Sequence, residues 1–125
     1  MKIFLFAGAI SGALAVLLGA FGAHLLKNMI SPDMLEVYNT GIQYQFYHTF
    51  ALLVASILMK LHPSKNLKWS GYLFIAGITI FSGFLYLLAI TGTKAFGMIV
   101  PVGGLMFVAG WIFLLIHVLN IRPLS

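Results

Sequence analysis

Long apolar stretches alternate with short polar breaks along this chain, and the pattern occurs four times in 125 residues. The first apolar run covers about residues 3–26, close to the ~20 residues that a bilayer core requires of a spanning helix. The others cover about residues 43–61, 71–90 and 97–119. Backbone amides in hydrocarbon find no water, so each run is predicted to close its hydrogen bonds internally as an α-helix. The expected fold class is all-α: one domain, residues 1–125, built as a four-helix transmembrane bundle.

The breaks carry their own signals. Ser31-Pro32-Asp33 reads as an N-cap, a proline at the first helical position and an acid in the first turn. A helix is therefore expected to start within about residues 32–42, partly in the membrane interface, and to continue past Gly41 into the second run. His62-Pro63-Ser64-Lys65-Asn66 is a short polar turn, with Trp69 and Tyr72 at headgroup level. Thr91-Gly92-Thr93-Lys94 is a tighter turn on the opposite side. Pro101, with Gly103 and Gly104 behind it, predicts a wide or irregular start to the last helix. Met1-Lys2 and Ala20-Phe21-Gly22 are reminiscent of a cleavable signal peptide. The first run exceeds the roughly 7–15 apolar residues of such peptides, however, and an uncleaved helix is expected.

Charge orients the bundle. With both termini in the cytoplasm, Lys2, Lys60, Lys65, Lys68 and Arg122 face inward and only Lys27 and Lys94 face outward. The two acidic residues, Asp33 and Glu36, then lie in the outer loop. Basic residues concentrate on the cytoplasmic side of membrane proteins, so N-in, C-in is the expectation. Composition reinforces the membrane assignment: 62% of residues are hydrophobic and 7% charged. Soluble domains run at about half and about a quarter. A net charge of +5 scattered between apolar runs is not the clustered face of a nucleic-acid binder. The lipid bilayer is the partner that composition implies.

Helices in lipid associate through close packing and interhelical hydrogen bonds. In the first run Ser11, Ala15, Gly19 and Ala23 recur every fourth residue, with Gly8 and Gly12 alongside. Together with Gly77 and Gly83 in the third run and Gly103, Gly104 and Gly110 in the fourth, these are read as helix-packing positions. On a helical wheel, Tyr38, Gly41, Gln45, His48, Thr49, Leu52 and Ser56 share one side of the second helix. Such a stripe belongs in the bundle interior. His24, Gln45, His48 and Tyr86 are predicted to form a polar cluster in the outer half of the membrane, either as interhelical hydrogen bonds or as a small pocket. His117 is placed at the inner interface.

Chemistry narrows mainly by absence. There are no cysteines, which removes disulfides and thiolate sites. No Asp or Glu lies within an apolar run, so the buried acid of proton-coupled exporters is missing. The four histidines fall at different depths, which suits neither a metal site nor a bis-histidine haem. No cofactor and no enzymatic activity are expected.

Gly19-Ala20-Phe21-Gly22-Ala23-His24, Tyr44-Gln45-Phe46-Tyr47-His48, Phe81-Ser82-Gly83-Phe84-Leu85-Tyr86, Pro101-Val102-Gly103-Gly104 and Gly110-Trp111 together resemble one family. It is that of small bacterial membrane proteins known as domain of unknown function 423, whose animal relative is transmembrane protein 256. The resemblance covers nearly the whole chain and implies a four-span protein of the bacterial inner or plasma membrane. It supplies no activity, substrate or cofactor. The expected role is a structural or accessory bundle, self-associating or part of a larger complex. The alternative is binding or transport of a small neutral molecule or lipid through the polar cluster. A quinone-associated subunit ranks third.

Overall fold

The computed structural model describes residues 2–122, and those residues form helices and short turns without a strand. Helix α1 is Lys2–His24, followed by a 3-10 turn at Leu26–Asn28. Helix α2 is Pro32–Leu61. A third rod comprises α3 (Lys65–Gly77), a π-helical segment (Ile78–Ser82) and α4 (Gly83–Thr91). A single turn, α5 (Lys94–Gly97), leads into α6 (Val100–Asn120).

Local chemistry sets the boundaries. Ser31 caps α2 by accepting from the Met34 amide at 3.2 Å, with Pro32 at the first position, where its missing N–H is no loss. Ser64 caps α3 in the same way, accepting from the Leu67 amide at 3.1 Å. At the far end of the third rod, Gly92 adopts φ +69°, the left-handed conformation that a side chain disfavours, and its amide closes on Leu88 O at 2.8 Å. Around Pro101 the amides of Met98, Ile99 and Val102 each bond three residues back, giving α6 a tightened, irregular entry.

Helix α1 lies along α2, while α6 lies along the third rod; α2 and the third rod pack on each other between them. Contacts at the ends make neighbours antiparallel: Lys2 and Lys60 border one groove, and Ser64 meets His117. α2 is the central helix. Tyr38, Gly41, Gln45, His48, Thr49, Leu52 and Ser56 are all buried, as the wheel predicts, and Ala51, Ala55 and Met59 join them on an adjoining face.

The exterior is apolar and the interior is partly polar, the reverse of a water-soluble protein. Leu17 is 66% exposed and Leu105 70%, whereas Gln45 is 4% exposed and Thr49 2%. Water cannot solvate such a surface without aggregation. Three helical stretches, Lys2–Asn28, Lys65–Thr91 and Lys94–Asn120, are long and apolar enough to cross a membrane. α2 falls outside that set because its inward face carries the polar stripe.

Aromatic rings seated on glycines set the spacing between helices. Tyr38 lies against Gly22, Tyr86 against Gly41, Phe4 against Gly71, Phe107 against Gly77 and Phe74 against Gly110. A methyl group added at Gly110 would stand 2.7 Å from the Phe74 ring, inside any van der Waals contact. Of the glycines singled out from the sequence, Gly8 fits beneath the Leu53 side chain, while Gly12 and Gly19 face Thr49 and Ile42 at ordinary contact distances. Ala15 is fully buried. Gly104 has only the edge of Phe81 near it, at 3.8 Å. Gly103 differs from all of these, because it meets the backbone of Phe81 within the π segment.

That contact yields a stability prediction. Gly103→Ala pushes against backbone that cannot rotate away, and is expected to destabilise the bundle by about 1–3 kcal/mol. Gly83→Ala, with nothing within 4 Å of the added carbon, should be neutral or stabilising by up to about 1 kcal/mol. Equilibrium unfolding in mixed micelles separates the two; equal losses would contradict the packing described.

Candidate functional site

The interior polar groups form a ladder of hydrogen bonds that ties the helices together. Gln45 sits at its centre. Its Nε2 donates to Ser11 O on α1 at 2.8 Å, and its Oε1 accepts from Tyr86 Oη on α4 at 2.6 Å. One amide side chain on α2 thus links three helices. One turn further along α2, Thr49 and Ser11 share a hydroxyl–hydroxyl bond at 2.7 Å. Tyr38 donates to Leu18 O on α1, and its ring packs 5.1 Å from that of Tyr86.

Two serines of the third rod complete the ladder by reaching glycine carbonyls. Ser82 donates to Gly41 O on α2 at 2.7 Å, and Ser70 donates to Gly110 O on α6 at 2.8 Å. A glycine carbonyl is approachable because no side chain of its own shields it. Ser82 ends the π segment, the wider winding that often marks a specialised position in a helix.

His48 belongs to a second, aromatic arrangement. Its ring stacks on Phe107 with centroids 3.5 Å apart and planes 10° from parallel. Nε2 lies 3.0 Å from Trp111 Nε1. An indole N–H can only donate, so Nε2 must accept and the ring proton sits on Nδ1. Nδ1 then donates to Tyr44 O at 2.7 Å. Both nitrogens of a neutral imidazole are thereby occupied, which leaves neither for metal ligation or proton transfer in this arrangement.

The four residues predicted as one cluster are therefore divided. Gln45 and Tyr86 bond directly, His48 turns towards α6, and His24 is exposed at the end of α1 outside the ladder. His117, read as an interfacial residue, is 3% exposed, with Nδ1 2.6 Å from Ser64 Oγ. Sequence reasoning missed Ser70, Ser82 and Trp111 as partners; the available signal was a lone hydroxyl or indole within an otherwise apolar run. Among the described residues no three His, Asp or Glu side chains converge as a metal site would require.

An apolar surface over a hydrogen-bonded interior, with three helices able to cross a bilayer, defines a multi-pass, all-helical membrane protein. The family model described as "Protein of unknown function (DUF423)" matches residues 18–104, and the chain belongs to that family. It is 45% identical over 116 residues to the UPF0382 membrane protein SAB0533 of Staphylococcus aureus, covering 93% of this chain and 94% of that one. It is 44% identical over 117 residues to the UPF0382 membrane protein YwdK of Bacillus subtilis, covering 93% and 95%. With the UPF0382 membrane protein SSP2132 of Staphylococcus saprophyticus it shares 42% identity over 121 residues, covering 97% and 100%. No solved structure matches the chain.

Removing the central amide tests the ladder. Gln45→Leu abolishes two interhelical bonds and leaves the Tyr86 hydroxyl without its acceptor, for an expected loss of about 1–3 kcal/mol. Tyr86→Phe should cost about 0.5–1.5 kcal/mol, and the double variant less than the sum of the two. His24→Ala should stay within about 0.5 kcal/mol of wild type. The same mixed-micelle unfolding reads all four proteins.

Proposed function

We propose that this protein is a four-span, N-in, C-in bundle of the cell membrane whose role is structural or accessory, and that it performs no catalysis of its own. The carrying observation is the use of its interior chemistry. Gln45, Tyr86, His48, Trp111, Ser11, Thr49, Ser70 and Ser82 all bond to other helices or to their own backbone. Polar groups positioned for a reaction are left facing a cleft, whereas these are turned on one another.

Helix α2 is taken as the fourth span. At 1.5 Å per residue its 30 residues reach about 45 Å, against a hydrocarbon core of about 30 Å. The excess of roughly ten residues matches the stretch 32–42, where Asp33, Glu36 and Asn39 favour the interface. The remaining length crosses the membrane with its polar face covered by α1, α3 and α4. Charge supports the orientation, because Lys2, Lys60, Lys65, Lys68 and Arg122 gather at one end of the bundle.

The alternative, a binding or transport path through His24, Gln45, His48 and Tyr86, draws less support from the geometry. Gln45 and Tyr86 satisfy each other, and His48 is stacked and doubly bonded. An accessory role instead places function on the lipid-facing surface, where partners or further copies of the chain would meet it.

The absence of native cysteine makes both halves of this proposal easy to test. Single-cysteine variants Lys65→Cys and Lys94→Cys should react with a membrane-impermeant maleimide from the cytoplasmic and outer sides respectively; labelling of both from one side refutes the four-span topology. Crosslinking in native membranes, followed by native mass spectrometry from lipid nanodiscs, should recover a homo-oligomer or a larger complex. Recovery of the monomer alone would refute the accessory role.

A further inference from the structure

The basic end of the bundle contains a recess that the interior ladder does not explain. It lies where the α2–α3 turn meets the end of α6, has a volume of about 320 Å³, and is walled by His62, Ser64, Asn66, His117, Asn120 and Arg122. That volume is in the range of small-ligand sites, about 300–1,000 Å³.

Among the described residues its lining is rich in donors and contains no carboxylate side chain. Arg122 offers a guanidinium fork, and Asn66 and Asn120 offer amide N–H groups. The recess also borders the start of α3. There the amides of Lys65 and Asn66 precede Leu67, the first amide satisfied by the Ser64 cap, and a helix N-terminus favours negative charge. Lys65 and Lys68 stand on one flank, with Lys2 and Lys60 at the same end of the bundle. Asp33 and Glu36 lie at the opposite end, beside the start of α2.

His117 supplies an independent observation. Its Nδ1 is held by Ser64 Oγ, yet its Nε2 is shut off from water and has no hydrogen-bond partner among the described residues. Ser64 Oγ accepts from the Leu67 amide and can also donate to Nδ1, and in that tautomer the ring proton sits on Nε2. A buried donor without an acceptor is costly in any protein. His117 lines the recess, while its Nε2 is closed off from it in this arrangement.

We infer that this recess binds a phosphate group, and that at a membrane surface the phosphate is that of an anionic phospholipid headgroup. Arg122 grips it from the rim, Asn66, Asn120 and the first turn of α3 donate to it, and His117 stands in the wall behind them. Trp69 and Tyr72, on the flank beside Lys65 and Lys68, lie at the level where the glycerol backbone of such a lipid would sit. The site is separate from the accessory role proposed above and requires only that this end of the bundle meet a lipid leaflet, which the maleimide labelling of Lys65→Cys checks independently.

The test uses the full chain in mild detergent, titrated with phosphatidylglycerol or phosphatidylcholine and read by native mass spectrometry. Phosphatidylglycerol should bind with one tight site and phosphatidylcholine more weakly. Arg122→Gln, an exposed substitution that leaves the helices intact, should weaken phosphatidylglycerol binding about fivefold. His62→Gln combined with Arg122→Gln should weaken it further. Lys94→Gln, at the other end, should leave it unchanged. Equal binding of the two lipids, or unaltered phosphatidylglycerol binding by both Arg122 variants, overturns the proposal. Loss of binding in Lys94→Gln overturns the location. Inorganic phosphate that displaces phosphatidylglycerol at equal concentration overturns the lipid as the source of the phosphate.

Discussion

Hydrocarbon offers no hydrogen bonds, and that one deficiency organises this protein. Any polar group that enters the bundle must find its partner on another helix or on its own backbone. The cross-links so formed run through one residue above all. Gln45 on α2 bonds both to the α1 backbone at Ser11 and to the Tyr86 hydroxyl on α4. Ser82, Thr49 and Tyr38 extend the same seam along α2. Of the four long rods, the one most polar in sequence, α2, is therefore the most enclosed in the fold, and the least polar surfaces are left to lipid.

Close approach follows from a second device, the pairing of glycine with an aromatic ring. Apolar helices gain nothing from the hydrophobic effect when they leave lipid for one another, so contact area and fit must supply the attraction. A ring laid into the notch above a glycine gives both. Five such pairs occur among the described residues, and they alternate in direction: α1 supplies Phe4 to Gly71 and receives Tyr38 at Gly22, while α3 supplies Phe74 to Gly110 and receives Phe107 at Gly77. The π segment belongs to the same scheme. Its wider winding brings the backbone of Phe81 onto Gly103 and turns Ser82 onto the Gly41 carbonyl.

The two ends of the bundle differ as sharply as its inside and outside. One carries Asp33, Glu36 and an irregular approach to α6; the other carries five lysine and arginine residues and the recess beside His117. The interior ladder consumes its donors and acceptors internally, whereas the basic end presents donors outward.

Much of this was legible in the residues alone, because length and hydropathy act locally. Four apolar runs, the Ser31-Pro32 cap, the Gly92 turn and the buried stripe from Tyr38 to Ser56 all follow from the period of a helix and the cost of polarity in lipid. Family membership was legible too, through motifs spread over the chain. What only the tertiary structure decided was pairing. Helical periodicity places Gln45 and His48 on one side of α2 but cannot say that one turns to Tyr86 and the other to Trp111. It cannot separate His24 from them, since depth along an axis does not report direction around it. The period of the third run does not reveal a π segment, although Thr79 and Ser82 lie within it, and His117 read as interfacial because its partner, Ser64, lies 53 residues away in the chain. Local physics sets which faces are polar; the contacts between faces are settled only when the helices meet.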